Sequence, residues 1–236
     1  IMGLAIASCK TWVGEAFVPA AAASFSFKVV YSAGGTFTLP INAGGAGYAH
    51  NFVVSWGDGT ADSTITAYDD ADRVHTYAGA GTYTVTMSGT CEWFAFANGG
   101  DCAKVTELVS FTDMGFKVLN FRGCSALTTV VALGTMASLI TATSIFRACS
   151  ALTAIPSGCF DGCTAITDLS FGFGGCSALT AIPNDLFKYN VSVVNFSYLF
   201  YTCALITTIP TDLFRYNTAV TSFGGVFEYT GLTTVP

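Results

Sequence analysis

Apolar and polar positions run along this chain in two rhythms. Over the first third, short segments alternate or are rich in β-forming residues: Phe25–Tyr31, Thr36–Pro40, Phe52–Trp56, Ser63–Ala67 and Thr82–Met87, separated by glycine-rich turns. Short runs at this spacing predict an all-β sandwich over residues 24–90. Beyond about Val105 the rhythm lengthens. Cys149, Cys176 and Cys203 are each 27 residues apart, and Phe146, Phe173, Phe200 and Phe227 keep the same step. So do Leu139, Ile166, Val193 and Val220, then Pro156, Pro183 and Pro210, then Phe160, Phe187 and Phe214. A less regular unit upstream carries Phe121, Cys124 and Leu127.

A single unit of this length cannot bury its own apolar face. Stacking the units sets Leu on Leu, Phe on Phe and Cys on Cys, and the columns make one continuous core. The expected structure is a short stack of coils about 4.8 Å apart. Within a coil, Leu-Thr-x-Ile-Pro reads as a short strand that proline ends, because proline cannot donate to a ladder. The Phe-x-x-Cys side is expected to hold a turn or a short helix. Cys203-Ala204-Leu205-Ile206 and Glu228-Tyr229-Thr230-Gly231-Leu232 depart from the pattern and affect the local columns.

Cys-Ser-x-Leu-Thr-x-Ile-Pro and the Leu-Phe that follows it resemble leucine-rich repeats of the kind found in bacterial surface proteins and phage virion proteins, across residues 118–236. In the front segment, Trp56-Gly57-Asp58-Gly59-Thr60 and His75-Thr76-Tyr77, followed by Gly81-Thr82-Tyr83-Thr84-Val85, resemble the PKD domain. That resemblance implies an immunoglobulin-like β-sandwich acting as a spacer or binding module. Trp56 would end a central strand facing the core, Gly57 and Gly59 would permit the tight turn, and the Asp58 carboxylate would accept backbone N–H groups there. The fold class expected is therefore mainly β: an immunoglobulin-like sandwich followed by a leucine-rich-repeat solenoid of 27-residue coils.

Two further segments complete the organisation. Residues 91–117 read as a connector and cap, with Cys91 and Cys102 bracketing a hairpin-like loop and Val105–Phe111 covering the first coil. Residues 1–23 form an apolar arm interrupted by Lys10 and Glu15, expected to dock on a neighbouring subunit. Ile6-Ala7-Ser8-Cys9 resembles a lipoprotein cleavage box, but no basic residue precedes it, so coincidence is the simpler explanation. Ile1 precedes Met2 and Pro236 falls inside a repeat, as expected of a piece of a longer protein.

Composition sharpens this picture. Hydrophobic residues make up 52% and charged residues only 10%, whereas soluble domains carry about 25% charge. Such a chain is expected either to be buried in an assembly or to stay in solution through Ser, Thr, Gly and Asn. The net charge is −6, and the nine Lys and Arg are scattered singly, which argues against nucleic-acid binding. No apolar run is long enough for a transmembrane helix.

Candidate chemistry is sparse. Cys124, Cys149, Cys176 and Cys203 fall on the repeat step and read as buried structural thiols, since zinc ligands come in close pairs. Cys159 and Cys163 occupy positions held by Leu and Asn in later coils. Cys91 and Cys102 are the best disulfide candidates in an oxidising setting. Asp58, Asp62, Asp69, Asp70 and Asp72 form the densest acidic group and are candidate calcium ligands, although their spacing matches no known calcium loop and a solvated loop is the simpler account. Asn190-Val191-Ser192 and Asn195-Phe196-Ser197 match the glycosylation pattern. Asn190 reads more simply as a ladder residue whose amide bonds to adjacent coils. His50 and His75 stand beside no nucleophile elbow, and no phosphate loop, dinucleotide fingerprint or zinc-protease motif occurs. No catalytic residue and no cofactor is therefore expected.

Lys188-Tyr189 and Arg215-Tyr216 recur at one point of two coils, where a column of cation plus aromatic can hold a sugar or a partner surface, or can be a solvated turn. The functional expectation is a non-enzymatic structural or adhesive protein, extracellular, on a virion or bacterial cell surface. Its expected partners are other subunits of an assembly, with a host surface protein or glycan as ligand. The alternative is an adhesin or carbohydrate-binding accessory region of a larger secreted protein.

Overall fold

The computed structural model describes residues 23–233. The expected arm over 1–23, the Cys9 box and Pro236 lie outside them, apart from Ala23. The fold is mainly β. Among the described residues nine strands follow one another: β1 (Ser24–Tyr31), β2 (Gly35–Thr38), β3 (His50–Ser55), β4 (Ser63–Ile65), β5 (Val74–Tyr77), β6 (Gly81–Cys91), β7 (Trp93–Ala95), β8 (Val105–Phe111) and β9 (Val118–Asn120). The large sheet has the order β4-β3-β6-β1-β8, β2 pairs with β5, and β7 pairs with β9 in parallel.

The alternation in β1 suits its place inside the sheet, between β6 and β8. Phe25, Phe27, Val29 and Tyr31 all point inward and are buried. The β2–β5 ribbon packs against this face: Phe37 lies 5.8 Å from Phe27, and Tyr77 lies 5.3 Å from Tyr31, between ring centroids. Trp56 is buried just after β3, and its indole N–H donates to the Ser63 hydroxyl at 3.0 Å.

Residues 91–117, expected as a connector and cap with a hairpin-like loop between Cys91 and Cys102, place β8 in the large sheet and β7 in a separate pair. Cys91 ends β6, β7 pairs with β9 rather than folding back on itself, and β8 takes the edge beside β1. The inward residues of β8 are Val105, Leu108 and Phe111, three apart rather than two. Its register against β1 accordingly shifts twice, because each extra residue re-aims the following side chains. The other edge of β8 meets the first coil: the Leu108 N–H donates to the Thr129 carbonyl and the Thr128 N–H to the Thr106 carbonyl, both at 2.9 Å.

From residue 118 onward, a shorter first unit and then the 27-residue units lie one on the next. Parallel bridges join Val118 to Thr141, Thr141 to Asp168, Asp168 to Asn195 and Asn195 to Ser222. The ladder therefore runs through this segment and not through Leu-Thr-x-Ile-Pro, which forms no strand. In that segment one long bond, from the Thr180 N–H to the Thr153 carbonyl at 3.4 Å, joins the second and third coils. Proline at its end removes the donor that would extend the pairing. Phe-x-x-Cys forms a tight turn, with the Cys N–H bonded back to the Phe carbonyl in four successive coils, from Phe121–Cys124 to Phe200–Cys203.

Phe146, Phe173, Phe200 and Phe227 form one stacked column, with centroids 5.5, 5.6 and 5.7 Å apart. Phe121 begins the column 5.8 Å from Phe146 and also lies 6.0 Å from Phe25 of β1. One apolar core thus runs unbroken from the sheet into the coils.

A candidate binding face on the coils

Each coil sets its inward side-chain donors against carbonyls of its neighbour. The Cys149, Cys176 and Cys203 thiols donate to the carbonyls of Phe121, Phe146 and Phe173 at 3.4, 3.1 and 3.2 Å. Asn190 is fully buried, and its amide donates to the carbonyls of Phe160 and Cys163 at 3.0 and 2.9 Å. Asn217 repeats the arrangement one coil on. Burial of Asn190 removes it from the reach of a glycosylating enzyme in the folded chain. Asn195 is half-buried and donates to Asp168 at 3.3 Å.

The cysteines are structural in their surroundings. Eight are free and buried among the described residues, and Cys91 and Cys102 do not form the expected disulfide. The Cys91 thiol instead donates to the Trp93 carbonyl at 3.3 Å. Cys102 joins the column: burial first, and then nearby Cys102, push the Cys124 thiol up. Burial likewise holds Cys163 and Cys203 up at about 12. Cys91 lies 3.9 Å from His50, but both are buried and burial pushes the thiol far up, so the pair is no activated nucleophile.

The five candidate calcium ligands do not converge. Asp58 accepts from the Thr60 N–H and hydroxyl at 3.1 and 2.6 Å and meets His75 Nε2 at 2.8 Å. Asp70 accepts from the N–H groups of Thr66 and Asp72 at 3.1 Å and caps the short 3-10 turn Ala71–Arg73. Asp62, Asp69 and Asp72 are exposed. No cluster of three or more metal-ligating side chains forms among the described residues. The physical reason is local: the turns bind their own aspartates through backbone N–H groups.

The expected cation–aromatic column does come together. Lys188 Nζ sits 5.5 Å from the Tyr189 ring centre and 6.0 Å from that of Tyr216, and the Arg215 guanidinium lies 5.8 Å from Tyr216. Both tyrosines are exposed, at 49% and 40%. Beside them, a hollow of about 300 Å³ opens between two coils, lined by Asn184, Asp185, Pro210, Thr211 and Asp212. Arg215 links the two features, because it also approaches Asp212 at 3.5 Å.

Sequence reasoning missed this hollow, although a signal was present. Asn184 and Thr211, and Asp185 and Asp212, are also 27 residues apart. It also missed a second aromatic row. Ser144, Phe171, Tyr198 and Gly225 occupy one column, all with left-handed backbones at φ 58°, 56°, 58° and 63°. Tyr198 lies so close over Gly225 that a Cβ there would meet the ring at 2.5 Å. Phe171 stacks on Tyr198 at 4.7 Å, and Arg147 caps Phe171 at 4.3 Å. Bulky residues rarely adopt such a backbone, and here the coils above and below impose it.

No helix among the described residues is long and apolar enough to cross a membrane. Compared with known proteins, the chain matches no family model, and neither a curated protein nor a solved structure is found similar to it.

Proposed function

We propose that this chain is a non-enzymatic structural and adhesive surface module, in which a PKD-like, immunoglobulin-like sandwich carries a short solenoid of leucine-rich type. The observation that carries the reading is the stacked column from Phe121 to Phe227, continuous with the sheet core through Phe25. A stack whose every coil is held by its neighbours makes a stiff element with outward faces free to meet a partner. The PKD-like assignment is supported by the Trp56–Thr60 turn, where Gly57 and Gly59 both stand at φ 81° and Asp58 binds Thr60. The exposed hydroxyls of Thr128, Thr153, Thr180 and Thr207 make an uncharged row suited to packing in an assembly.

The setting proposed is an outer virion component or extracellular filament, with subunits of the same assembly as partners. Expression of the full chain together with the rest of its particle tests this. The chain is expected to copurify with particles, and a chain lacking residues 1–23 is expected to stay behind. Normal incorporation of the shortened chain overturns the role of the arm. A full chain that never associates with any particle or filament overturns the display reading itself.

A further inference from the structure

We propose that the hollow between Asn184, Asp185, Pro210, Thr211 and Asp212, with the adjacent Tyr189 and Tyr216 rings, binds a neutral oligosaccharide. The inference rests on the surface-module reading and names the ligand class for one of its faces. Three properties of the site carry it.

The first is the state of the two rings. Phe171 and Tyr198 cover each other's faces, so that row offers mainly edges. Tyr189 and Tyr216 are stacked on no other aromatic ring among the described residues and both are exposed; over their faces stand the long, flexible Lys188 and Arg215 side chains, which a sugar ring can displace. Exposed tyrosines present an apolar face with a polar rim, the complement of a pyranose ring with its C–H face and equatorial hydroxyls. They sit at the same point of consecutive coils, where the nearby Phe187 and Phe214 rings are 5.9 Å apart, so one short glycan reaches both.

The second is the polar lining. Asp185, Asp212, Asn184 and Thr211 offer acceptors and donors in one concave site, with Pro210 as a rigid apolar wall. A few placed polar groups in a shaped hollow are what fix the orientation of a small ligand. Carboxylates accept two hydroxyl donors side by side, as vicinal diols provide.

The third is charge. Arg215 approaches Asp212 at 3.5 Å, and the two cations Lys188 and Arg215 equal in number the two carboxylates Asp185 and Asp212. A neutral glycan loses nothing in this field. The charged side chains that line the hollow itself are the Asp185 and Asp212 carboxylates, so an acidic sugar seated there sets its carboxylate beside them, which costs affinity.

Titration calorimetry of the intact chain tests the proposal, with cellotetraose, maltotetraose and mannotetraose as neutral probes and sialyllactose as the acidic one. At least one neutral probe is expected to bind and sialyllactose is not. The pair Tyr189→Ala and Tyr216→Ala is expected to weaken binding about tenfold or more. So is the pair Asp185→Asn and Asp212→Asn, and Asp185 has a left-handed backbone at φ 56° that asparagine tolerates. Tyr229→Ala, the most exposed tyrosine and outside the site, is expected to leave affinity unchanged. Unchanged melting temperatures show that the variants fold. Binding by none of the neutral probes, binding that survives both paired variants, or binding of sialyllactose alone overturns the inference. Particle copurification is read separately, so a glycan-blind chain that still enters particles sinks this site and leaves the display reading standing.

Discussion

The Cys176 thiol donates to the Phe146 carbonyl in the coil below at 3.1 Å, and the Phe146 ring stacks on Phe173 of the thiol's own coil at 5.5 Å. Side chain and backbone of neighbouring coils thus hold each other at the same level, and the arrangement recurs at Cys149 and Cys203. A cysteine suits the position because it is small, apolar and still a donor. Cys176→Ala removes the donor and leaves a void. It is expected to cost about 1–3 kcal/mol in chemical denaturation.

Thiol reactivity reports the same burial. Deprotonation of the column thiols is opposed by burial, with Cys203 held up at about 12. In native protein at pH 8, the eight described cysteines are expected to resist iodoacetamide. Labelling should rise together across the denaturation transition. Fast labelling of Cys149 or Cys176 in native protein contradicts the packing described.

Asn190 carries a heavier polar load than any cysteine of the column, since its amide serves two carbonyls. Asn190→Ala removes a second donor from each in a dry core, while the Cys163 and Ile166 N–H groups still serve them, and about 1–2 kcal/mol of destabilisation is expected. Asn190→Cys should cost less, because Cys163 already stands at the corresponding point one coil earlier. Equal losses for the two variants would mean that a thiol recovers none of what the amide provides.

Phe121 joins the sheet to the coils. Its ring meets Phe25, Phe94, Phe111 and Phe146. Phe121→Ala is expected to cost about 3–5 kcal/mol. It should also broaden the unfolding transition, as sheet and coils lose their shared layer. Retention of a single sharp transition with little loss of stability would show that the junction is not where the two halves couple.

At Asp58, burial works against the carboxylate, but the bonds from Thr60 and His75 outweigh it and hold the group down at about 2. A carboxylate held below its ordinary range stabilises the fold above about pH 4 and loses that contribution as the pH falls toward 2. Asp58→Asn should therefore flatten the stability profile between pH 4 and 2 and lower the plateau above it. An acid limb that stays unchanged in the variant assigns the transition to other groups.

The coil step was legible because identical side chains stand at matched intervals, which nothing but stacking rewards. Cysteine, phenylalanine and asparagine columns follow directly from that. The Lys188–Tyr216 cluster was legible on the same principle, and the neighbouring hollow could have been found from Asp185 and Asp212. The calcium set failed because proximity in sequence said nothing of where the carboxylates point, and local N–H groups claimed Asp58 and Asp70.

The amino-acid order by itself determined the β character, the 27-residue step and the side chains that face inward, because periodicity and burial are properties of short stretches. Tertiary structure alone decided that β8 shifts register to take the edge beside β1, that Phe25 meets Phe121, and that Cys102 joins a column instead of pairing with Cys91. Those outcomes depend on which distant surfaces compete for the same apolar partner. Only the assembled core, in which every candidate neighbour is present at once, resolves that competition.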